Sequence, residues 1–100
     1  MTEITLRQME YFLAVLDTGS MTKAAQSCHA SQSATSMAIA QLEKLLGAPL
    51  FVRSRNTALT PTAVGVAFAE HARTCLEAAE AAQAAATETL LELSGTLRIG

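Results

Sequence analysis

Apolar residues recur along this chain at helical spacing, pause once, and then resume for a much longer run. Leu6, Met9, Phe12, Leu13 and Leu16 keep the three-and-four rhythm of one helix face until Gly19 stops it. Thr5 followed three residues later by Gln8 is a capping-box pattern, so a first helix is predicted over about 5–17. Ser20 suits the N-cap of a short second helix ending near Cys28, where Ala24, Ala25 and Cys28 make a small-residue face that lets another helix approach closely. Ser31 caps a third helix, with Thr35, Ile39, Leu42 and Leu46 as its inward stripe and Gly47 at its end. The rhythm then changes: Leu50, Phe51 and Val52 are β-prone, Arg53-Ser54-Arg55-Asn56 is polar, and the chain returns through Thr57 to Leu59, which predicts a small hairpin.

Beyond the hairpin, Thr60 reads as an N-cap and Pro61 as a first helical position, where the missing N–H costs nothing. No proline intervenes from there to about Glu92, a helix of ~48 Å that cannot fold back within a small domain. Phe68, Ala72, Cys75, Ala79, Ala82, Ala86, Leu90 and Leu93 recur along it at spacings of four and three, as in a coiled-coil seam. A seam made mostly of alanine buries little on one helix alone, so it predicts a partner helix at short distance and a homodimer; the alternative is an alanine-rich helix lying on its own domain. Ser94-Gly95 reads as a hinge, and Thr96-Leu97-Arg98-Ile99-Gly100 as the opening strand of a further domain. Three units result: residues 1–60, the long helix over 61–93, and the hinge with its strand over 94–100.

Half the residues are apolar, aromatics are few and tryptophan is absent, so the core is built from Leu, Ile, Val, Met and Ala and the fold is mainly α. The net charge of −2 is unfavourable for a partner of a polyanion, but its distribution changes the picture. Residues 1–60 hold five basic side chains (Arg7, Lys23, Lys44, Arg53, Arg55) against four acids, whereas residues 61–100 hold two against five. The acidity belongs to the long helix, which can point away from such a partner. No apolar stretch approaches the ~20 residues needed to cross a bilayer, and the N-terminus does not read as a signal peptide, which together suggest a cytoplasmic protein.

Candidate chemistry is sparse. Cys28 and Cys75 form no C-x-x-C pair, and a metal site assembled from Cys28, His29, His71 and Cys75 is a poorer account than two reduced, buried thiols. Neither histidine has a carboxylate or serine partner by motif and no glycine-rich phosphate loop is present, so neither an enzyme nor a cofactor is expected. The outer face of the third helix is more informative. Gln32, Ser33, Ser36, Met37, Ala40 and Gln41 are uncharged, mostly short and rich in hydrogen-bonding groups, whereas an ordinary solvated face carries more Lys and Glu.

Several segments taken in order resemble the LysR-type bacterial transcriptional regulators: Leu6 to Phe12, Gly19 to Ala25 and Ser31 to Ser36, then Ile39, Leu42-Glu43, Leu46-Gly47, Pro49 to Phe51, Arg53, Leu59-Thr60 and Gly65. Gly95 to Gly100 is similar to that family's approach to its effector domain, so the resemblance covers essentially the whole chain. It implies a winged helix-turn-helix of three helices and a hairpin wing, followed by a dimerising helix. It also implies double-stranded DNA as partner, with the third helix in the major groove and two copies on a dyad-symmetric operator, half-sites about 34 Å apart. Full-length members commonly form tetramers and sense a small molecule through a C-terminal domain that these residues do not include.

Carried over position by position, the resemblance places Gln32, Ser33, Ser36 and Met37 toward bases, with Arg53, Arg55, Ser31, Thr22 and Lys23 toward the backbone or wing contacts. Three departures matter. Ser33 stands where many members have proline, Met37 where arginine is usual, and Ala40 where a basic residue is frequent. Methionine can pack on a thymine methyl but cannot hold guanine as arginine does, and fewer cations predict a shallower salt dependence. The rival reading is a protein-interaction module. A DNA reader needs Arg7, Lys23, Arg53 and Arg55 on the face of Gln32 and Ser36; an adaptor does not.

Overall fold

The computed structural model describes residues 2–53 and 58–95. Three helices, α1 (Leu6–Thr18), α2 (Met21–Ser27) and α3 (Gln32–Leu46), precede two short strands, β1 (Phe51–Val52) and β2 (Thr60–Pro61), and a long helix, α4 (Ala63–Ser94). The strands pair antiparallel, Phe51 opposite Pro61 and Val52 opposite Thr60, and make the base of a hairpin wing. The architecture is a mainly helical winged helix-turn-helix with a long helix projecting from it.

Local signals start and stop the first three helices. Thr5 accepts from Gln8 N at 3.1 Å while the Gln8 side chain accepts from Thr5 N at 2.9 Å, a complete capping box. Ser20 and Ser31 accept from Lys23 N and Ala34 N. Gly19 and Gly47 end α1 and α3 with positive φ, which a side chain would resist. The turn between α2 and α3 runs through His29 at φ 55°, closed by Ala30 N donating to Ala25 O at 2.9 Å.

Phe12 is the centre of the core. Fully buried, it meets Phe51 of the wing at 5.4 Å between ring centroids and Phe68 of α4 at 5.2 Å, the latter edge-on. Val15, Ala24, Ile39, Leu42 and Leu50 close around it. The inward stripe of α1 is thus turned from the predicted one: Tyr11 and Val15 are buried, whereas Leu6 is exposed. α1 is packed by α2, α3 and α4 together, so its buried arc is wide, and Leu6 in the first turn lies at its margin.

α4 begins two residues later than predicted. Thr60 and Pro61 are taken up in β2, where pairing with β1 outweighs the local N-cap signal, and Thr62 caps instead, accepting from Gly65 N at 3.0 Å. Thr62 also donates through its hydroxyl to Pro49 O at 2.8 Å and through its N–H to Leu50 O at 3.0 Å, which fastens the helix start to the strand before the wing. At the other end the helix runs through Ser94, and Gly95, predicted as a hinge, is its left-handed cap. The strand expected over 96–100 lies outside the described residues.

Two further expectations are corrected by burial. Phe68 and Ala72, assigned to a partner-facing seam, pack into the chain's own core, because the first turns of α4 lie across α1. The stretch left for a partner is Cys75 to Leu93, with Ala79 half-buried and Cys75, Ala82, Ala86 and Leu90 exposed. The thiols are not both buried either: Cys28 is half-buried and Cys75 exposed, each free. Among the described residues no cluster of His, Cys, Asp or Glu could hold a metal, and no helix is long and apolar enough to cross a membrane.

Candidate functional site

α3 buries Thr35, Ala38, Ile39 and Leu42, so the helical period leaves Gln32, Ser33, Met37, Ala40 and Gln41 on its open side, with Ser36 half-buried at the edge. Met37 is 57% exposed, an apolar side chain on the open side of the helix. No charged group interrupts this face before Lys44, near the C-terminal end of α3. Thr35, although polar, belongs to the core: its hydroxyl donates to Ser31 O at 3.0 Å, which secures the first turn from behind.

The first turn of α3 is also held from the side. Thr22 of α2 donates its hydroxyl to Gln32 Oε1 at 3.1 Å, so the N-terminal ends of the two helices meet. Lys23, the next residue, is exposed. Ser31 uses its oxygen to cap Ala34 N but keeps a hydroxyl proton to give. The Ser31 cap takes only Ala34 N, so the Gln32 and Ser33 N–H groups remain as donors in the first turn of a 15-residue helix, where the backbone offers partial positive charge to an anion.

In the sequence Gln8 reads only as a capping residue and Glu43 only as part of the family resemblance, yet both shape this surface. Glu43 Oε2 accepts from Leu50 N at 2.8 Å while its Oε1 stands 3.7 Å from Arg53 Nη2, so one carboxylate joins the end of α3 to β1 and aims the first wing arginine. Gln8 Nε2 donates to Gln41 Oε1 at 3.4 Å, joining α1 to the open face of α3. A repeat of types at fixed spacing could not have revealed either, because each partner lies in another element.

Of the four cations that distinguish the two readings, Lys23 follows Thr22 in α2 and is exposed, and Arg53 stands at the wing base beside Glu43. Arg55 lies outside the described residues. Arg7 does not join them. It pairs with Glu10 at 3.2 Å, lies over the Tyr11 ring, and borders a different recess with Asp17, His29 and Leu76. The hydrogen bond to Glu10 raises its pKa further. Arg73 is likewise raised by its hydrogen bond to Asp17, 2.7 Å away, a pair that ties α4 to the end of α1.

Residues 6–66 match the family model described as bacterial regulatory helix-turn-helix protein, lysR family. The nitrogen assimilation regulatory protein nac of Klebsiella aerogenes is 37% identical over 97 residues, 97% of this chain and 32% of that protein. The Hca operon transcriptional activator HcaR of Escherichia coli is 41% identical over 88 residues, 87% of this chain and 29% of that one. The chain therefore spans about a third of the length of such curated relatives. Among solved structures, the CbnR DNA-binding domain in complex with DNA is similar with a TM-score of 0.78 at 36% identity, covering 86% of this chain and 98% of that one. The BenM DNA-binding domain on catB site 1 DNA gives 0.81 at 29% identity, covering 86% and 96%.

Proposed function

Since the chain belongs to the lysR family of bacterial helix-turn-helix regulatory proteins, we propose that it binds double-stranded DNA sequence-specifically, as the reading head of a cytoplasmic transcriptional regulator. The observation that carries this is the open face of α3, uncharged and rich in hydrogen-bonding groups, with its first turn held by Thr22 of α2. Such a face lies flush in a major groove, where base edges and not phosphates are read. Gln32, Ser33, Ser36 and Met37 meet bases; Ser31, Lys23 and Arg53 meet the backbone, and Arg55 extends the wing contacts. Met37 favours a thymine methyl over guanine.

Two copies pair through the exposed part of α4, from Cys75 to Leu90, and set two recognition helices on a dyad-symmetric operator. In the whole protein such dimers pair into tetramers, and a small-molecule effector acts on residues beyond these. The units are residues 1–60 as reading head, 61–93 as linker and dimerisation helix, and 94–100 as the passage to the next domain. No step of this function needs catalysis or a cofactor.

Fluorescence anisotropy tests it, with a labelled duplex from upstream of this protein's own gene against a scrambled duplex across a salt series. Tighter binding to the upstream duplex, weakening with salt, is expected. Gln32→Ala lowers that preference, and Arg53→Ala weakens both duplexes alike. A folded chain that binds neither duplex at low salt overturns the reading.

A further inference from the structure

The bond between Thr22 and Gln32 constrains what this face can read. An amide oxygen carries no hydrogen, so the proton in the 3.1 Å contact with Gln32 Oε1 is the Thr22 hydroxyl's, and a hydroxyl has one to give. Thr22 therefore has none left for a phosphate oxygen, the role its position first suggests. The Gln32 amide is meanwhile held with Oε1 toward α2, while its Nε2 has no hydrogen-bond partner among the described residues. The backbones on either side of the bond are set by the core, in which Ala24 and Ala25 of α2 and Thr35 and Ala38 of α3 are buried.

We propose that Thr22 is a positioning residue for specificity, holding Oε1 so that Gln32 presents Nε2 to the base edges. A glutamine free to turn its amide can offer a donor or an acceptor; one held in this way offers a donor first. This position then selects an edge with an acceptor, purine N7 or thymine O4, and rejects cytosine, whose major-groove edge offers the N4 donor. The inference rests on the DNA reading proposed above.

The test starts from a randomised duplex pool selected with the 100-residue chain, which supplies the cognate duplex. Gln32→Ala then identifies the base pair whose discrimination it removes. Anisotropy titrations with all four base pairs at that position follow for wild type, Thr22→Val and Thr22→Ser. Thr22 is exposed, so the valine variant folds, and Thr22→Ala provides the same deletion with a smaller side chain. Expected is a roughly fivefold fall in the adenine-over-cytosine ratio for Thr22→Val, the size of one net hydrogen bond, with an unchanged salt slope and recovery in Thr22→Ser. In the free protein, the Gln32 side-chain amide signals in a nitrogen–proton correlation spectrum move in Thr22→Val and not in Thr22→Ser. Equal weakening of all four duplexes makes Thr22 a phosphate ligand and overturns the proposal, as does an unchanged ratio. A pool from which the folded chain enriches no motif overturns the DNA reading itself, and this inference with it.

Discussion

At Gly65 the backbone leaves no room for any side chain: a Cβ there would collide with Leu50 O and lie 3.3 Å from Pro61 Cβ. Both neighbours are fixed, since Leu50 O accepts from Thr62 N and Pro61 is paired in the wing. Gly65→Ala must push α4 off the strand, and its expected cost is about 3 kcal/mol, at the upper end for overpacking. Urea unfolding followed by far-UV circular dichroism measures this; a midpoint equal to wild type would mean that the helix can shift freely there. Gly95→Ala is the control, since nothing lies within 4 Å and only its φ of 70° is strained, at the free end of α4. Residue-scale signals divide by range. Thr5, Ser20 and Ser31 were legible as caps because donor and acceptor sit within three residues. Thr62 was not, because Thr60 carried the same signal and only the pairing of β2 with β1 decides between them.

Between elements, Glu43 does what no local pattern announces. Its carboxylate accepts from Leu50 N in a half-buried junction and faces Arg53, so α3, β1 and the wing share one anchor. Glu43→Ala leaves that N–H without its acceptor, which costs about 1–3 kcal/mol, whereas Glu43→Gln retains an acceptor oxygen and is expected to recover most of it. Thermal unfolding of both variants checks this, and similar losses for the two would assign the stabilisation to the ion pair with Arg53 and not to Leu50 N. The contact with Arg53 at 3.7 Å is half exposed and contributes little to stability by itself. α1, α2 and α3 were legible to within a residue or so from periodicity and caps. The rotation of the buried arc of α1 was not, since it depends on three helices covering one, and that covering depends on where α4 goes.

Across the whole molecule, the 57 Å long axis is set by α4, whose residues from Glu80 to Ser94 are all exposed. Glu77, Glu80, Glu88 and Glu92 keep the acidity there, away from α3, as the charge division along the chain predicts. Where the seam begins was not legible from its spacing: Phe68 and Ala72 fit the repeat as well as Ala82 and Ala86 do, but they serve the chain's own core. An isolated stretch of this kind is marginal as a helix in water even when rich in alanine, so its outer half needs a partner to stay formed. Leu90, 66% exposed, Leu91, 41% exposed, and Leu93, 80% exposed, are the large apolar groups left to it, and of these Leu90 and Leu93 keep the seam spacing. Sedimentation equilibrium is expected to give twice the chain's mass at tens of micromolar, with weak affinity because alanines contribute little area each. The Leu90→Glu, Leu93→Glu double variant places like charges beside Glu88 and Glu92 and is expected to sediment as a monomer, with reduced helical signal and an intact head. Wild type that stays monomeric at several hundred micromolar would mean that α4 finds its cover elsewhere and that pairing of these heads depends on the rest of the protein.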